Sequence, residues 1–112
     1  MVPSAEETDW AEILTLYDLL RVVAPGPMVT LNRVVAFAQV NGPSAGLAEL
    51  AVAASDPALA AHHRVDAVRA HLLESSGEFE RARAAYAAAA RRTLSLPEQA
   101  YLQSRAAALA DR

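Results

Sequence analysis

The sequence contains no cysteine and no lysine, and aromatic residues make up only 5% of it. Without cysteine the chain can form neither a disulfide framework nor a thiolate metal site. No apolar run approaches the roughly 18 consecutive residues of a membrane-spanning helix. The amino end, MVPSAEETDW, carries acids where a secretory signal has a basic start and an apolar stretch. These absences predict a cytoplasmic protein without membrane contact.

Charge and motifs exclude further classes of protein. The net charge of −3 has the wrong sign for a module that grips nucleic acid through phosphates. No glycine-rich phosphate loop, nucleophile elbow or acid–base carboxylate pair is present. We therefore expect no direct nucleic-acid contact, no catalytic residue, no cofactor and no enzymatic activity.

Alanine dominates what the sequence does contain. There are 27 alanines among 112 residues, and hydrophobic residues make up 54% of the chain. Alanine has the highest helix propensity, and its small side chain lets neighbouring helices approach closely. The length suits one small domain. The composition therefore favours a single all-α domain spanning residues 1–112, in which residues 1–7 are expected to be flexible.

Proline, glycine and capping residues divide the chain into six predicted helices. Thr8 is the candidate cap of the first helix, and Ser95 and Glu98 have the spacing of a capping box that opens the sixth. The breaks are APGP at 24–27, NGP at 41–43, SDP at 55–57 and Gly77. The predicted intervening helices are 27–40, 44–54, 58–76 and 78–92. Short connections predict antiparallel neighbours.

A repeat of 36 residues relates the helices to one another. Leu14, Leu50 and Tyr86 form one series, and Arg33, Arg69 and Arg105 form another. Helix pairs at this period indicate a right-handed superhelix like that of tetratricopeptide repeats (TPRs), whose usual period is about 34 residues. In the best single match, LLESSGEFERARAAYAAA, Gly77 lies at the turn between two helices.

Several segments together resemble the carboxyl-terminal extension of a group of bacterial extracytoplasmic-function (ECF) RNA polymerase sigma factors. They are DWAEILTLYDLL, PGPMVTLNRVVAFAQVNGPSAGL, RAHLLESSGEFERARAAYAAA and SLPEQAYLQSR. The resemblance covers residues 9–109. Gly26 and Val34 depart from it, because that family often has serine and alanine at these positions.

The resemblance implies a TPR-like interaction domain that regulates a sigma factor acting in transcription initiation. DNA recognition would belong to regions that this chain does not contain, so we expect a fragment of a longer sigma factor. The expected partners are its own sigma regions, RNA polymerase or a separate regulator, and the fragment could form a homodimer. Two alternatives stay open: a stand-alone TPR-like adaptor unrelated to transcription, and a helical ligand-binding domain with a closed apolar pocket.

Asn32, Arg33, Arg69 and Arg105 are the candidate partner-binding residues. The three arginines fall on the second, fourth and sixth predicted helices. If these helices line a groove, the arginines could form a ladder along it that binds carboxylates of a partner, since a guanidinium group binds a carboxylate bidentately. The alternative for Arg33 is an internal ion pair with Asp9, Asp18 or another acid.

Trp10, Tyr17 and Tyr86 are the candidate structural anchors, because aromatic side chains dominate burial in a core rich in alanine. The three histidines predict no metal site. His63 and His71 are eight residues apart, and the position midway between them is Ala67.

Overall fold

The computed structural model describes residues 8–110, and this part of the chain consists of helices and their connections. The helices are α1 (Trp10–Val23), α2 (Pro27–Asn41), α3 (Pro43–Ala53), α4 (Pro57–Ala60), α5 (His63–Ser75), α6 (Phe79–Arg92) and α7 (Leu96–Leu109). The all-α prediction is confirmed for this range. The predicted flexibility of residues 1–7 falls outside the described residues.

Prolines and polar caps set most of the helix starts. Pro27, Pro43 and Pro57 occupy the first positions of α2, α3 and α4, where the missing N–H breaks no intrahelical bond. The Ser95 hydroxyl accepts a hydrogen bond from the Glu98 amide at 3.3 Å, as the capping-box spacing predicts.

The cap of α1 differs from the prediction. Asp9, and not Thr8, is the N-cap residue, and its carboxylate accepts a hydrogen bond from the Glu12 amide at 3.0 Å. Both residue types cap helices well. The correction moves the start of the helix by one residue.

The predicted helix 58–76 is wrong as a single element, because the chain breaks between α4 and α5. His62 has an extended backbone, with φ −77° and ψ 131°, and its Nδ1 accepts a hydrogen bond from the Arg64 amide at 3.1 Å. The His62 imidazole is therefore the N-cap of α5, a position more often occupied by serine or aspartate. The described chain therefore holds seven helices where the sequence predicted six.

The helices pack mainly on their neighbours in the chain. One buried cluster is formed by residues of α2 and α3 together with Leu59 of α4 and with Val65 and Leu72 of α5. A second cluster is formed by residues of α5, α6 and α7. Leu47 packs against both clusters, so α3 connects the two halves of the core. No helix among residues 8–110 is long and apolar enough to cross a membrane.

The helices α2 and α3 pack closely together at Gly46. A Cβ built on this buried glycine would lie 2.5 Å from the Ala38 Cβ and 3.2 Å from the Ala38 Cα. Neither atom can rotate away, because both are fixed by the backbone of α2. The crossing therefore requires glycine at position 46.

We predict that Gly46→Ala lowers the free energy of unfolding by about 1–3 kcal/mol, because α2 and α3 must move apart. Gly26→Ala is the matched control: its added Cβ meets no atom within 4 Å, and the unfolding free energy should change by less than about 1 kcal/mol. Urea denaturation followed by circular dichroism measures both. Equal stabilities of the two variants would contradict the close approach.

Candidate functional site

The helices α5 and α7 both pack on α6 and run in the same direction, and two side-chain contacts connect them directly. Near their starts, His63 Nε2 lies 2.9 Å from Glu98 Oε1. Near their ends, the Arg105 guanidinium binds the Glu74 carboxylate. Matching ends meet, so α5 and α7 are parallel and α6 is antiparallel to both.

Three adjoining cavities open along α5, and His71 lines all of them. The first, of about 330 Å³, lies between α2, α5 and α7; the second, of about 240 Å³, between α2 and α5; the third, of about 410 Å³, between α5, α6 and α7. We call the surface they form the central groove. Its accessible side chains are Val35, Gln39, Arg64, His71, Ser75, Tyr101 and Arg105.

The central groove combines an aromatic face with polar groups. Tyr101 is 60% exposed, so its ring is available for stacking or apolar contact. Arg64 is exposed and forms no ion pair with any residue that the structure describes, which leaves its guanidinium able to bind a carboxylate. Ser75 donates its hydroxyl to the His71 carbonyl at 2.9 Å. These groups suit a polypeptide better than a small apolar ligand.

Tyr86 forms the floor at one end of the groove. Its ring is 3% exposed, and its hydroxyl donates to Glu74 Oε1 at 2.8 Å. Burial, reinforced by this hydrogen bond to Glu74, raises the pKa of Tyr86 to about 12. The Arg105 guanidinium lies 6.0 Å from the centre of the same ring. Tyr86 therefore holds Glu74 where Arg105 can reach it.

Arg33 lies away from the central groove and joins α1, α2 and α3. Its Nε is 2.6 Å from Asp18 Oδ1, and its NH1 is 3.2 Å from Glu49 Oε2. The side chain is 15% exposed, and its guanidinium lies 5.4 Å from the centre of the Phe37 ring. Desolvation would lower the pKa of Arg33, but the two carboxylates outweigh it and raise that pKa. The pairing with Asp18 is the internal alternative that the sequence left open.

The three arginines spaced 36 residues apart do not share one surface. Arg69 binds Asp66 at 2.9 Å, and the same buried carboxylate binds Arg92 of α6 at 2.8 Å. Arg33 lines a separate cavity of about 120 Å³, and Arg105 alone lines the central groove. All three guanidinium groups are paired with carboxylates of this chain. Among the described residues they do not form a ladder open to a ligand.

The remaining candidates lie near α1 and α2. Asn32, Trp10 and Tyr17 are partly buried, and no residue of α1 is fully buried. Residues 8–110 contain no group of three or more histidine, cysteine or acidic side chains able to hold a metal ion.

Sequence reasoning missed the side chains at the centre of the groove. His71 and Tyr101 belong to different helices and carry no motif, so no signal in the sequence joins them. Asp66 was also missed, because nothing in its neighbourhood marks it as a buried carboxylate shared by two arginines.

Comparison with known proteins gives one distant relative. The chain is 37% identical over 98 residues to an uncharacterized protein of Rhizobium meliloti (strain 1021), and the match covers 88% of this chain but 23% of that protein. The chain thus spans about a quarter of the length of its curated relative. The sequence matches no family model, and no solved structure matches it.

We predict that Arg33→Ala lowers the unfolding free energy by about 2 kcal/mol, because it leaves two carboxylates without their shared cation. Arg81→Ala is the control. Arg81 pairs with Glu78 at 3.3 Å, but its side chain is 69% exposed, so its loss should cost less than about 0.5 kcal/mol. Urea denaturation compares the two, and an unchanged stability of Arg33→Ala would show that the bridge contributes nothing.

We predict that Tyr86→Phe lowers the unfolding free energy by about 1 kcal/mol at neutral pH, through loss of the bond to Glu74. Because folding raises the pKa of this phenol above its ordinary value of about 10, the folded chain holds the proton more tightly. The resulting stability is complete below about pH 10 and is lost as the pH rises towards 12. Between pH 10 and 12 the unfolding free energy, obtained from urea denaturation at each pH, should fall more steeply for the wild type than for Tyr86→Phe. An equal pH dependence of the two proteins would contradict the raised pKa of Tyr86.

Proposed function

We propose that this chain is a protein-interaction domain with TPR-like stacking, and that it serves as the regulatory carboxyl-terminal part of a cytoplasmic ECF-type sigma factor. The central groove carries the proposal. It is an open, mixed polar and aromatic surface between parallel helices, which is the kind of surface that a polypeptide can occupy.

The alternation of helices supports TPR-like stacking. The first helix of each proposed pair, α2 and α5, lines the groove together with α7. The helix α3 contributes Pro43 to its lining, and α6 contributes Phe79 and Tyr86. Among residues related by 36 positions, Leu50 and Tyr86 are buried, and so are Leu73 and Leu109. The first members of these two series, Leu14 and Phe37, are partly buried. A generic helical bundle would also produce part of this pattern, so the alternation of helices along the groove is the stronger support.

Two observations support the sigma-factor part of the proposal. The D-W, L-N-R and G-P-x-A-G-L segments resemble the extension of ECF sigma factors in the same order along the chain. The relative from Rhizobium meliloti is roughly four times as long as the stretch that matches. A domain joined to further regions in a longer protein fits a regulatory extension.

In the proposed mechanism the groove binds a segment of the partner protein non-covalently, and no reaction is catalysed. A segment of the sigma regions or of RNA polymerase lies along α5 and α7, Tyr101 supplies apolar contact area, and Arg64 binds a carboxylate of the partner. The His63–Glu98 contact and the Arg105–Glu74 ion pair fix the spacing of the two helices. The groove is therefore preorganised, which reduces the conformational entropy lost on binding.

The test is binding of the purified chain to the DNA-binding regions of an ECF sigma factor, and separately to core RNA polymerase, from the organism that encodes it. We expect the double variant Arg64→Ala/Tyr101→Ala to bind at least about tenfold more weakly, a loss of about 1.4 kcal/mol. Leu94→Ala is the control, because Leu94 is fully exposed and lies outside the groove. Isothermal titration calorimetry gives the dissociation constants of the wild type, the double variant and Leu94→Ala.

Two results would contradict parts of the proposal. Binding that survives the double variant would remove the groove as the docking surface. Absence of binding to both sigma regions and polymerase would remove the sigma-factor assignment, and groove-dependent binding of an unrelated protein would then favour the stand-alone adaptor.

A further inference from the structure

The helix α1 carries two apolar stripes, and residues 8–110 cover one of them. Trp10, Ile13, Leu14 and Tyr17 have helical spacing and are partly buried against α2. Leu16, Leu19, Leu20 and Val23 repeat the same spacing, turned about 120° around the helix axis. Their exposures are 54%, 58%, 37% and 65%. We call this second set the α1 stripe.

No other element that the structure describes covers the α1 stripe. The helix lies at one end of the sequential packing, with α2 as its main neighbour. An end helix of a stacked array that stays in water normally has a polar outer face. Four aliphatic side chains at core-like spacing are instead typical of a buried helix face.

We propose that the α1 stripe pairs with the α1 stripe of a second copy of this chain, antiparallel, about a two-fold axis between Leu19 and Leu20. In this register Leu19 faces Leu20 of the second copy, and Leu16 faces its Val23. Each residue finds an apolar counterpart, because the stripe is symmetric about its own centre. A two-fold contact requires such a self-complementary surface.

Charge favours the same register. Glu12 occupies the position one turn before Leu16 on the stripe, and the antiparallel pairing leaves it beyond the end of the second helix, in solvent. In a parallel pairing Glu12 would face Glu12, which places two like charges at the edge of an apolar contact. Asp18 and Arg21 lie on other sides of the helix and do not enter the seam.

The area is adequate for the centre of an interface. The four side chains expose on the order of 400 Å² per copy, within the range of apolar patches that mark interaction sites. A standard interface takes about 800 Å² from each partner, with an apolar centre and a polar rim. The stripe provides that centre, so we expect a reversible dimer.

The first experiment measures mass in solution by analytical ultracentrifugation over a series of concentrations. We expect the wild type to change from monomer to dimer as concentration rises, and Leu19→Glu to remain monomeric. Leu94→Glu is the matched control, since it adds the same charge at a fully exposed leucine outside the stripe, and it should dimerise as the wild type does. Circular dichroism shows whether each variant keeps its helices.

The second experiment tests the register with introduced thiols. The natural sequence has no cysteine, so a single introduced cysteine is the only thiol. Leu19→Cys lies beside the axis and should form a disulfide with its own copy on mild oxidation. Leu16→Cys should not, because the two positions are separated by about 10 Å along the axis. A mixture of Leu16→Cys and Val23→Cys should cross-link.

The proposal fails if the wild type stays monomeric at every concentration, which would leave the stripe to a segment of a longer protein. It also fails if Leu19→Glu dimerises like the wild type, which would place the interface elsewhere. Self-cross-linking of Leu16→Cys as efficient as that of Leu19→Cys would overturn the antiparallel register. None of these results depends on the central groove or on the sigma-factor assignment.

Discussion

The close packing of α6 between α5 and α7 is the constraint on which the groove depends. The buried face of α6 is largely alanine, with Ala82 and Ala89 at 0% exposure and Ala90 at 3%. Tyr86 is its one large side chain that is fully buried, and Phe79 is partly buried. Small side chains let helix axes approach closely. As a result α5 and α7, which both pack on α6, come near enough for Glu74 to reach Arg105. A bulkier face on α6 would separate them and open the groove too far to be held by side-chain ion pairs.

Alanine packing alone does not fix how the helices align, because small smooth faces interlock weakly. Polar contacts between side chains help to fix the alignment of the helices. Asp66 binds Arg69 within its own helix and Arg92 near the end of α6, and Arg33 connects carboxylates from α1 and α3. A guanidinium has several donors in a fixed plane, which lets one arginine satisfy two acids at once. This use explains why the three arginines spaced 36 residues apart bind carboxylates of the domain itself. Arg64 remains as the groove cation without a partner carboxylate among residues 8–110.

The parts of the fold that could be predicted from sequence are those with local causes. Proline at the first helical position and Ser95 at a cap gave the starts of α2, α3, α4 and α7 to within one residue. The break before α5 could not be foreseen in this way, because its N-cap is the imidazole of His62, and histidine is not among the residues preferred at helix N-caps. The groove depends on contacts between distant residues: Arg92 is 26 positions from Asp66, and Arg105 is 31 from Glu74. A repeat period aligns equivalent residues, but it does not say whether an arginine turns towards a ligand or towards an acid of its own chain.

The two proposed surfaces differ in chemistry, and together they have a consequence that neither has alone. The central groove is partly polar and suits weak, reversible contacts, whereas the α1 stripe is aliphatic. They lie on different helices, since the stripe belongs to α1 and the groove to α2, α5, α6 and α7. Occupation of one surface therefore need not obstruct the other. Antiparallel pairing of α1 gives one particle two grooves related by a two-fold axis. A partner that presents two binding segments then meets the second groove at high effective concentration, so modest affinity at each groove yields firm attachment overall.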